Sequence, residues 1–310
     1  MPTTDVHTGI ELCICTFNRV DYLRLCIEAL LPQLVSGKTL VTVVDNHSTD
    51  GTKEYVEALA AQYDMVRYVF EPQQGLSHAR NRGWTGAHYP WVFYLDDDCL
   101  PPDHIVNAAL DLIALETTYD AFGGPIDSIF HGDIPDWLPK GYGDYSMPYS
   151  DVTFISKGYI RGGCMLIKRE VLQKLGGFKT SLGVTGDVLR YGEEIELQVR
   201  MRDAGYTIAY APSLRTGHSV RTDKLSLAWV LRSQYARQRD RMAFDPVSFP
   251  IASFHLIRTL AGRFLWTPVH LASYLFKKSY SLKRAMYESL QPLAFSSGEW
   301  VGTLRHPKKK

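Results

Sequence analysis

Three consecutive carboxylates, Asp96, Asp97 and Asp98, close the apolar run Trp91-Val92-Phe93-Tyr94-Leu95. A run this rich in aromatic and β-branched residues reads as a buried strand. Carboxylates at its end stand at the carboxyl edge of a sheet, where open α/β folds bind ligands. Asp96 and Asp98, two residues apart, point the same way if the extended geometry continues. Such a pair can share a hard divalent cation, and a cation there can hold a diphosphate. A solvated acidic turn and a calcium loop are the alternatives, so the rest of the chain has to decide.

The flanking sequence alternates strand and helix patterns. Ile10–Cys15, Leu40–Val44 and Met65–Phe70 read as strands. Asp21–Leu34, with Leu23, Cys26, Ile27, Leu30 and Leu34 on one face, reads as a helix, as do Thr52–Gln62 and Leu76–His88. The alternation predicts an α/β fold with a doubly wound, mostly parallel, Rossmann-like sheet. After a helix over Asp103–Leu115, the segment Asp127–Tyr149 is crowded with Gly, Pro, Asp and the aromatics Trp137, Tyr142, Tyr145 and Tyr149. A loop of this length is functional or mobile, and its aromatics either pack or receive a sugar ring. A strand, Ile160–Lys168, passes through Gly162-Gly163, which permit close backbone approach. A helix over Tyr191–Ala204 and a strand over Thr207–Ala211 precede His218.

The net charge of +1 conceals an asymmetry. Of 34 Lys+Arg and 33 Asp+Glu, residues 221–310 hold 16 and 5, leaving 18 and 28 for residues 1–220. A tail of +11 on a body of −10 predicts that the tail meets an anionic surface, membrane or nucleic acid. Phe264–Phe276 is apolar but only 13 residues long, flanked by Arg263 and Lys277-Lys278. A spanning helix needs about 20 apolar residues, so this segment either lies in a membrane interface or packs in the tail. The cysteines, Cys13, Cys15, Cys26, Cys99 and Cys164, show no two-residue gap of a zinc or redox motif and read as reduced thiols. Met1–Thr8 has no basic start and no apolar core, so no secretory signal is read there and a cytoplasmic protein is expected.

Five motifs occur in order: Cys15-Thr16-Phe17-Asn18-Arg19, Val43-Val44-Asp45-Asn46-His47-Ser48-Thr49-Asp50-Gly51-Thr52, Gly75-Leu76-Ser77-His78-Ala79-Arg80-Asn81, Leu95-Asp96-Asp97-Asp98 and Tyr191-Gly192-Glu193-Glu194-Ile195-Glu196-Leu197. Together they resemble family 2 glycosyltransferases of the GT-A fold, over roughly residues 10–220. Trp137-Leu138-Pro139 and an Arg221–Arg241 helix further resemble members acting in bacterial polysaccharide synthesis. The resemblance implies a nucleotide-binding half over about 10–105 and an acceptor half over about 120–220. Residues 221–310 would form a basic helical extension.

It also implies a chemistry. Thr16, Asn18 and Arg19 would bind the nucleotide of a nucleotide-diphosphate sugar, a UDP-sugar foremost. Asp45 can accept hydrogen bonds from a nucleobase, with Asp50 better placed to cap the next helix. Arg80 would contact the base or a phosphate, and Asp96 and Asp97 the donor. Asp98, with Asp96 and His218, would hold Mn²⁺ or Mg²⁺, and an imidazole among the donors suits Mn²⁺ better. Glu193 and Glu194 open a helix, where the macrodipole favours carboxylates. In the family the second acid of this motif takes the proton of the acceptor hydroxyl. That position is Glu194 here, a glutamate where the family has aspartate, with Glu193 in reserve. The expected reaction is inverting transfer to a glycan or lipid-linked acceptor, and no nucleic-acid partner is expected. Two other classes stay open: a sugar nucleotidyltransferase, which should carry a Gly-rich basic loop after the first strand, and a catalytically silent nucleotide-sugar-binding module.

Overall fold

The computed structural model describes residues 9–115, 118–186, 188–277 and 279–307. Met1–Thr8, Lys278 and Lys308–Lys310, used above for the signal and charge readings, lie outside the described residues. The elements follow as β1 (Ile10–Thr16), α1 (Val20–Leu30), β2 (Thr39–Asp45), α2 (Thr52–Ala60), β3 (Val66–Phe70), α3 (Leu76–Thr85), β4 (Trp91–Asp96) and β5 (Cys99–Leu100). Next come α4 (Ile105–Ala114), β6 (Ala121–Gly123), β7 (Ile126–Phe130), β8 (Thr153–Phe154), β9 (Cys164–Lys168) and α5 (Arg169–Leu175). The chain continues through α6 (Glu193–Asp203), β10 (Ile208–Tyr210), β11 (Thr216–Val220), α7 (Leu227–Arg241), α8 (Phe249–Phe276) and α9 (Leu282–Arg305).

By packing, the chain divides into two compact units. One comprises the described residues of Met1–Ile129, Gly143–Asp187 and Glu193–Ser219, the other those of Phe130–Tyr142, Val188–Gly192 and Val220–Lys310. The first unit holds a mixed sheet in the order β3-β2-β1-β4-β9-β6-β10-β8. β1, β2, β3 and β4 run parallel, whereas β9 is antiparallel to both β4 and β6. Along β4 the side chains alternate between two cores. Trp91, Phe93 and Leu95 face a layer containing Leu23 and Ile27 of α1 and Val106 of α4. Val92 and Tyr94 face one containing Ala79 of α3, Val171 of α5 and Leu197 of α6. Both faces are therefore covered, which explains a continuous apolar strand rather than an alternating one.

Local chemistry sets the helix limits. α1 stops at Leu30 because Pro32 has no N–H to continue the ladder, and a 3₁₀ turn, Leu31–Gln33, follows. Gly51, at φ 85°, supplies the left-handed residue that turns the chain into α2. At the amino ends of the strands, buried Glu11 accepts from Arg67 Nη2 at 2.7 Å and from the His88 backbone N–H at 2.9 Å, and Thr42 also donates to it.

The second unit contains α7, α8 and α9, joined by the stretch around Trp137. Trp137 and Leu138 are buried against Val230 of α7, with the Trp137 ring 5.7 Å from that of Tyr287. Trp137 thus packs, and Tyr145 also packs, its hydroxyl donating to the Tyr159 carbonyl at 2.8 Å. The apolar stretch at Phe264–Phe276 is not a separate 13-residue segment but the second half of the 28-residue α8, with Pro268 inside it. Proline there frees the carbonyl four residues back, that of Phe264, a residue exposed enough for water to reach it. No helix among the described residues is long and apolar enough to cross a membrane.

Candidate active site

Strand register brings the first site residues together. Thr16 lies opposite Asp45 across β1 and β2, and Cys15 lies opposite Asp96 across β1 and β4. The carboxyl edge of the parallel strands therefore carries Thr16, Asp45 and Asp96 side by side, with Asn18 and Arg19 in the turn beyond β1. Asn18 adopts a left-handed φ of 52°, held by its Oδ1 accepting the Thr49 N–H at 2.7 Å and by its own N–H donating to Ser48 Oγ at 3.0 Å. Asparagine tolerates this region better than most residues.

The chain turns at Asp97 and Asp98 instead of continuing extended, so the three carboxylates diverge. Arg80, Arg19 and His218 partner them, Arg19 reaching both Asp97 and Asp98. Asp96, its side chain 39% exposed, accepts from Arg80 Nη2 at 3.3 Å. Asp97 is buried and accepts from Thr16 Oγ1 at 2.8 Å and Arg19 Nη1 at 2.9 Å. Burial pushes the Asp97 carboxyl up to about 6 against the pull of Arg19. Asp98 is buried beside Arg19 Nη1 at 3.5 Å, and its Oδ1 lies 3.2 Å from His218 Nε2.

His218 is brought there by a small second sheet in the order β5-β11-β7. In it His218 pairs with Cys99, and the Ser219 N–H donates to the Asp98 carbonyl at 2.8 Å. The sequence placed His218 only as following the strand over Thr207–Ala211; the structure puts it on a strand of its own. A two-residue strand such as β5 carries too little pattern to be seen in sequence.

Of Asp98, Asp96 and His218, the three residues expected to hold a cation, the structure brings two together. Among the described residues no three His, Cys, Asp or Glu side chains converge as a metal site. Asp98 and His218 meet as a pair, while Asp96 accepts from Arg80. The pair fits a metal on its own terms: two ligands at right angles, each about 2.1 Å from an octahedral cation, stand about 3 Å apart. A cation bound there would keep further positions open to oxygen ligands.

Arg80 is 3% exposed, and its guanidinium joins two acids from distant segments. Nη1 donates to Glu193 Oε1 at 2.7 Å and Nη2 to Asp96 Oδ1. Where the sequence suggested a base or phosphate contact, the structure shows an internal clamp between the end of β4 and the start of α6. Glycines make the close approach possible. A Cβ on Gly162 would lie 2.8 Å from both Arg80 terminal nitrogens, and one on Gly163 2.4 Å from Asp96 Oδ2.

The rest of the Gly75–Asn81 motif fixes the segment that leads to the acids. Ser77 Oγ donates to the Leu182 carbonyl at 2.8 Å, Leu76 N–H to the Val184 carbonyl at 2.8 Å, and Asn81 exchanges two bonds with the Phe178 backbone. Sequence reasoning missed this function of Ser77 and Asn81. A polar residue on a helix face that ought to be apolar was the available signal. Glu193 is buried and Glu194 half-buried in the first turn of α6. Burial, with Glu194 adjacent, pushes the Glu193 carboxyl up to about 7 even though Arg80 pulls it down.

Asp45 is buried with both oxygens engaged: Oδ1 accepts the Ser48 N–H and Oδ2 the Tyr68 hydroxyl, each at 2.8 Å. Burial and the bond to Asp45 hold the Tyr68 phenol above its ordinary value. Tyr68 was not foreseen. Gly51, not Asp50, is the N-cap of α2; Asp50, one residue earlier, accepts from the Thr52 N–H at 3.2 Å, from Thr52 Oγ1 at 2.6 Å and from the Val20 N–H at 2.8 Å. All five cysteines are free.

Residues 11–176, more than half of the chain, match Glycosyl transferase family 2. The chain belongs to that family. Two relatives extend the similarity past the matched region. The succinoglycan biosynthesis protein ExoM of Rhizobium meliloti is 28% identical over 243 residues, 76% of this chain and 74% of its own. Glycosyltransferase AglE of Haloferax volcanii is 25% identical, over 68% of this chain and 67% of its own. The mannosyltransferase PcManGT of Pyrobaculum calidifontis, solved with GDP-Man and Mn²⁺, superposes with a TM-score of 0.59 at 19% identity, covering 96% of this chain and 89% of that one. GalNAc-T7, solved with UDP, GalNAc and Mn²⁺, gives 0.56 at 15% identity, over 77% and 51%. At these identities the two structures establish a shared fold, which is GT-A-like.

The clamp generates a prediction with a defined sign. Glu193 has a folded pKa of about 7 against an ordinary 4.5, so its contribution to stability is fully present below pH 4.5 and lost as pH rises through 7. Arg80→Leu strands this carboxylate without its counter-charge and raises its pKa further. Measured by urea unfolding against the native chain at the same pH, the variant should lose about 3–5 kcal/mol at pH 8. At pH 5, where Glu193 can be neutral, the loss should be clearly smaller. An equal penalty at both values would mean that Arg80 acts by packing alone.

Proposed function

We propose that this family 2 member is an inverting glycosyltransferase that moves a sugar from a nucleotide-diphosphate donor to a hydroxyl of a glycan or lipid-linked acceptor. The observation that carries the reading is the pair Asp98 Oδ1–His218 Nε2, 3.2 Å apart at the carboxyl edge of the sheet. Asp98 and His218 would hold a divalent cation, Mn²⁺ ahead of Mg²⁺ because an imidazole is one donor, and bound there it would neutralise charge on the departing diphosphate. The Mn²⁺ named with both solved relatives supports that choice.

The chain's own residues supply the rest. The edge formed by Thr16, Asn18, Arg19 and Asp45 receives the nucleotide, Asp45 offering the base the lone pairs left after Ser48 and Tyr68 are satisfied. Arg80 holds Asp96 and Glu193 in fixed positions and so ties the donor side to the start of α6. Glu194 takes the proton from the acceptor hydroxyl. Glu193, bound to Arg80, is the less available of the two acids. The acceptor oxygen forms its bond to the anomeric carbon on the face opposite the leaving diphosphate oxygen, whose bond to carbon breaks with the electron pair. The configuration inverts. A polysaccharide acceptor is supported by the biosynthetic role in the name of the succinoglycan relative.

A panel of nucleotide sugars with acceptor glycans, read by product stereochemistry, tests the reaction class: an inverted anomeric centre is expected, and a retained one contradicts the reading. With the active donor identified, Asp98→Ala should abolish turnover and remove the metal-dependent part of donor binding. Chelation with EDTA should do the same to the native chain, and full activity in excess EDTA would sink the metal assignment.

The acids can be separated by isosteric substitution. Glu194→Gln should keep donor affinity and lower turnover by about 10²–10⁴, the loss typical of a missing general base. Glu193→Gln should cost much less in turnover. If the order is reversed in steady-state kinetics, Glu193 is the proton acceptor.

A further inference from the structure

α8 is 28 residues long, yet Ala252 is its only residue among those described that is buried. Its inner face is used within the second unit: His255 Nδ1 meets Glu299 at 2.8 Å, Arg263 Nη1 donates to the Glu288 carbonyl at 2.8 Å, and the Phe249 and Trp300 rings lie 5.7 Å apart. The opposite face repeats at helical spacing through Phe254, Ile257, Phe264, Leu265, Leu271 and Leu275, all exposed. Phe264 is 84% exposed, Leu275 72%, and Phe276 at the helix end 86%. Ala261, Pro268 and Ala272 fill the gaps in the same face, and Arg258 at its margin is the one charged residue there. From Phe254 to Phe276 this stripe runs about 33 Å, at about 1.5 Å per residue. Apolar surface of that extent on a soluble face marks an interaction site.

Charge identifies the occupant. Residues 221–310 hold 16 Lys+Arg against 5 Asp+Glu. Lys277 follows the stripe directly, and Lys283 and Arg284 open α9. The acids of α9 are already engaged, Glu288 with Arg284 at 3.0 Å and Glu299 with His255. Two copies meeting through this face would bring like net charge together, whereas an anionic bilayer offers apolar depth and opposite charge at once. We propose that the outward face of α8 docks the chain onto an anionic membrane surface, lying in the plane of the interface with its side chains in the headgroup–acyl boundary. The helix does not cross, because no helix among the described residues is long and apolar enough to do so. This inference does not rest on the sugar-transfer reading.

Co-sedimentation of the full chain with phosphatidylcholine vesicles, with and without added phosphatidylglycerol, tests it. Binding should require the anionic lipid and weaken as salt rises, because the Debye length shortens from about 10 Å at 0.1 M to about 3 Å at 1 M. Phe264→Ser/Leu275→Ser, which alters only exposed positions, should lower partitioning at least about tenfold with unchanged far-UV circular dichroism. Native and double-variant chains that bind equally, or a native chain that ignores anionic vesicles, would overturn the proposal. So would a lipid-free dimer, seen by light scattering, that the double variant dissolves.

Discussion

Three adjacent carboxylates cannot be crowded at the end of a buried strand unless positive or hydrogen-bonding partners are brought to each of them. Most of what is distinctive in the first unit follows from that constraint. Arg19 comes from the turn after β1, Arg80 from α3 and His218 from β11, so three segments far apart in the chain must close on residues Asp96–Asp98. The small sheet that carries His218 and the glycine pair at Gly162-Gly163 serve the same end. One delivers the imidazole, and the other leaves room for Arg80 and Asp96.

Arg80 has the widest reach of these partners. One nitrogen holds the acid at the end of β4 and another the acid at the start of α6. The end of β4 and the start of α6 are thereby fixed to one rigid, planar group, the kind of preorganisation that a group-transfer site would require. Ser77 and Asn81, on the same helix, secure the connecting segment at Leu182 and Phe178. The helix is polar where a packing helix would be apolar because it is bound on that face by hydrogen bonds.

Much of the parallel half was legible in the sequence. β4 is a run of aromatic and β-branched residues ended by charge, and α1 shows Leu23, Cys26, Ile27 and Leu30 at helical spacing, so local pattern sufficed. The antiparallel insertion of β9 between β4 and β6 was not legible, because strand direction depends on a connection whose path no local pattern records. The divergence of Asp96 from Asp98 was hidden for a related reason: two-residue spacing implies a shared face only while the chain stays extended, and it turns at Asp97. Arg80 reads as a base or phosphate contact until Glu193, 113 residues away, is seen beside it. α8 runs through Pro268, since the exposed carbonyl it frees can be satisfied by water.

As proposed above, the Asp98–His218 pair would hold the cation that carries the donor diphosphate. A crystal of the full chain grown with Mn²⁺ and a nucleoside diphosphate, with data collected at the manganese edge, tests it most directly. The account predicts one anomalous peak bonded to Asp98 Oδ1 and His218 Nε2 and to phosphate oxygens, with the base at the edge formed by Thr16 and Asp45. A bound nucleotide whose manganese contacts neither Asp98 nor His218 would contradict it.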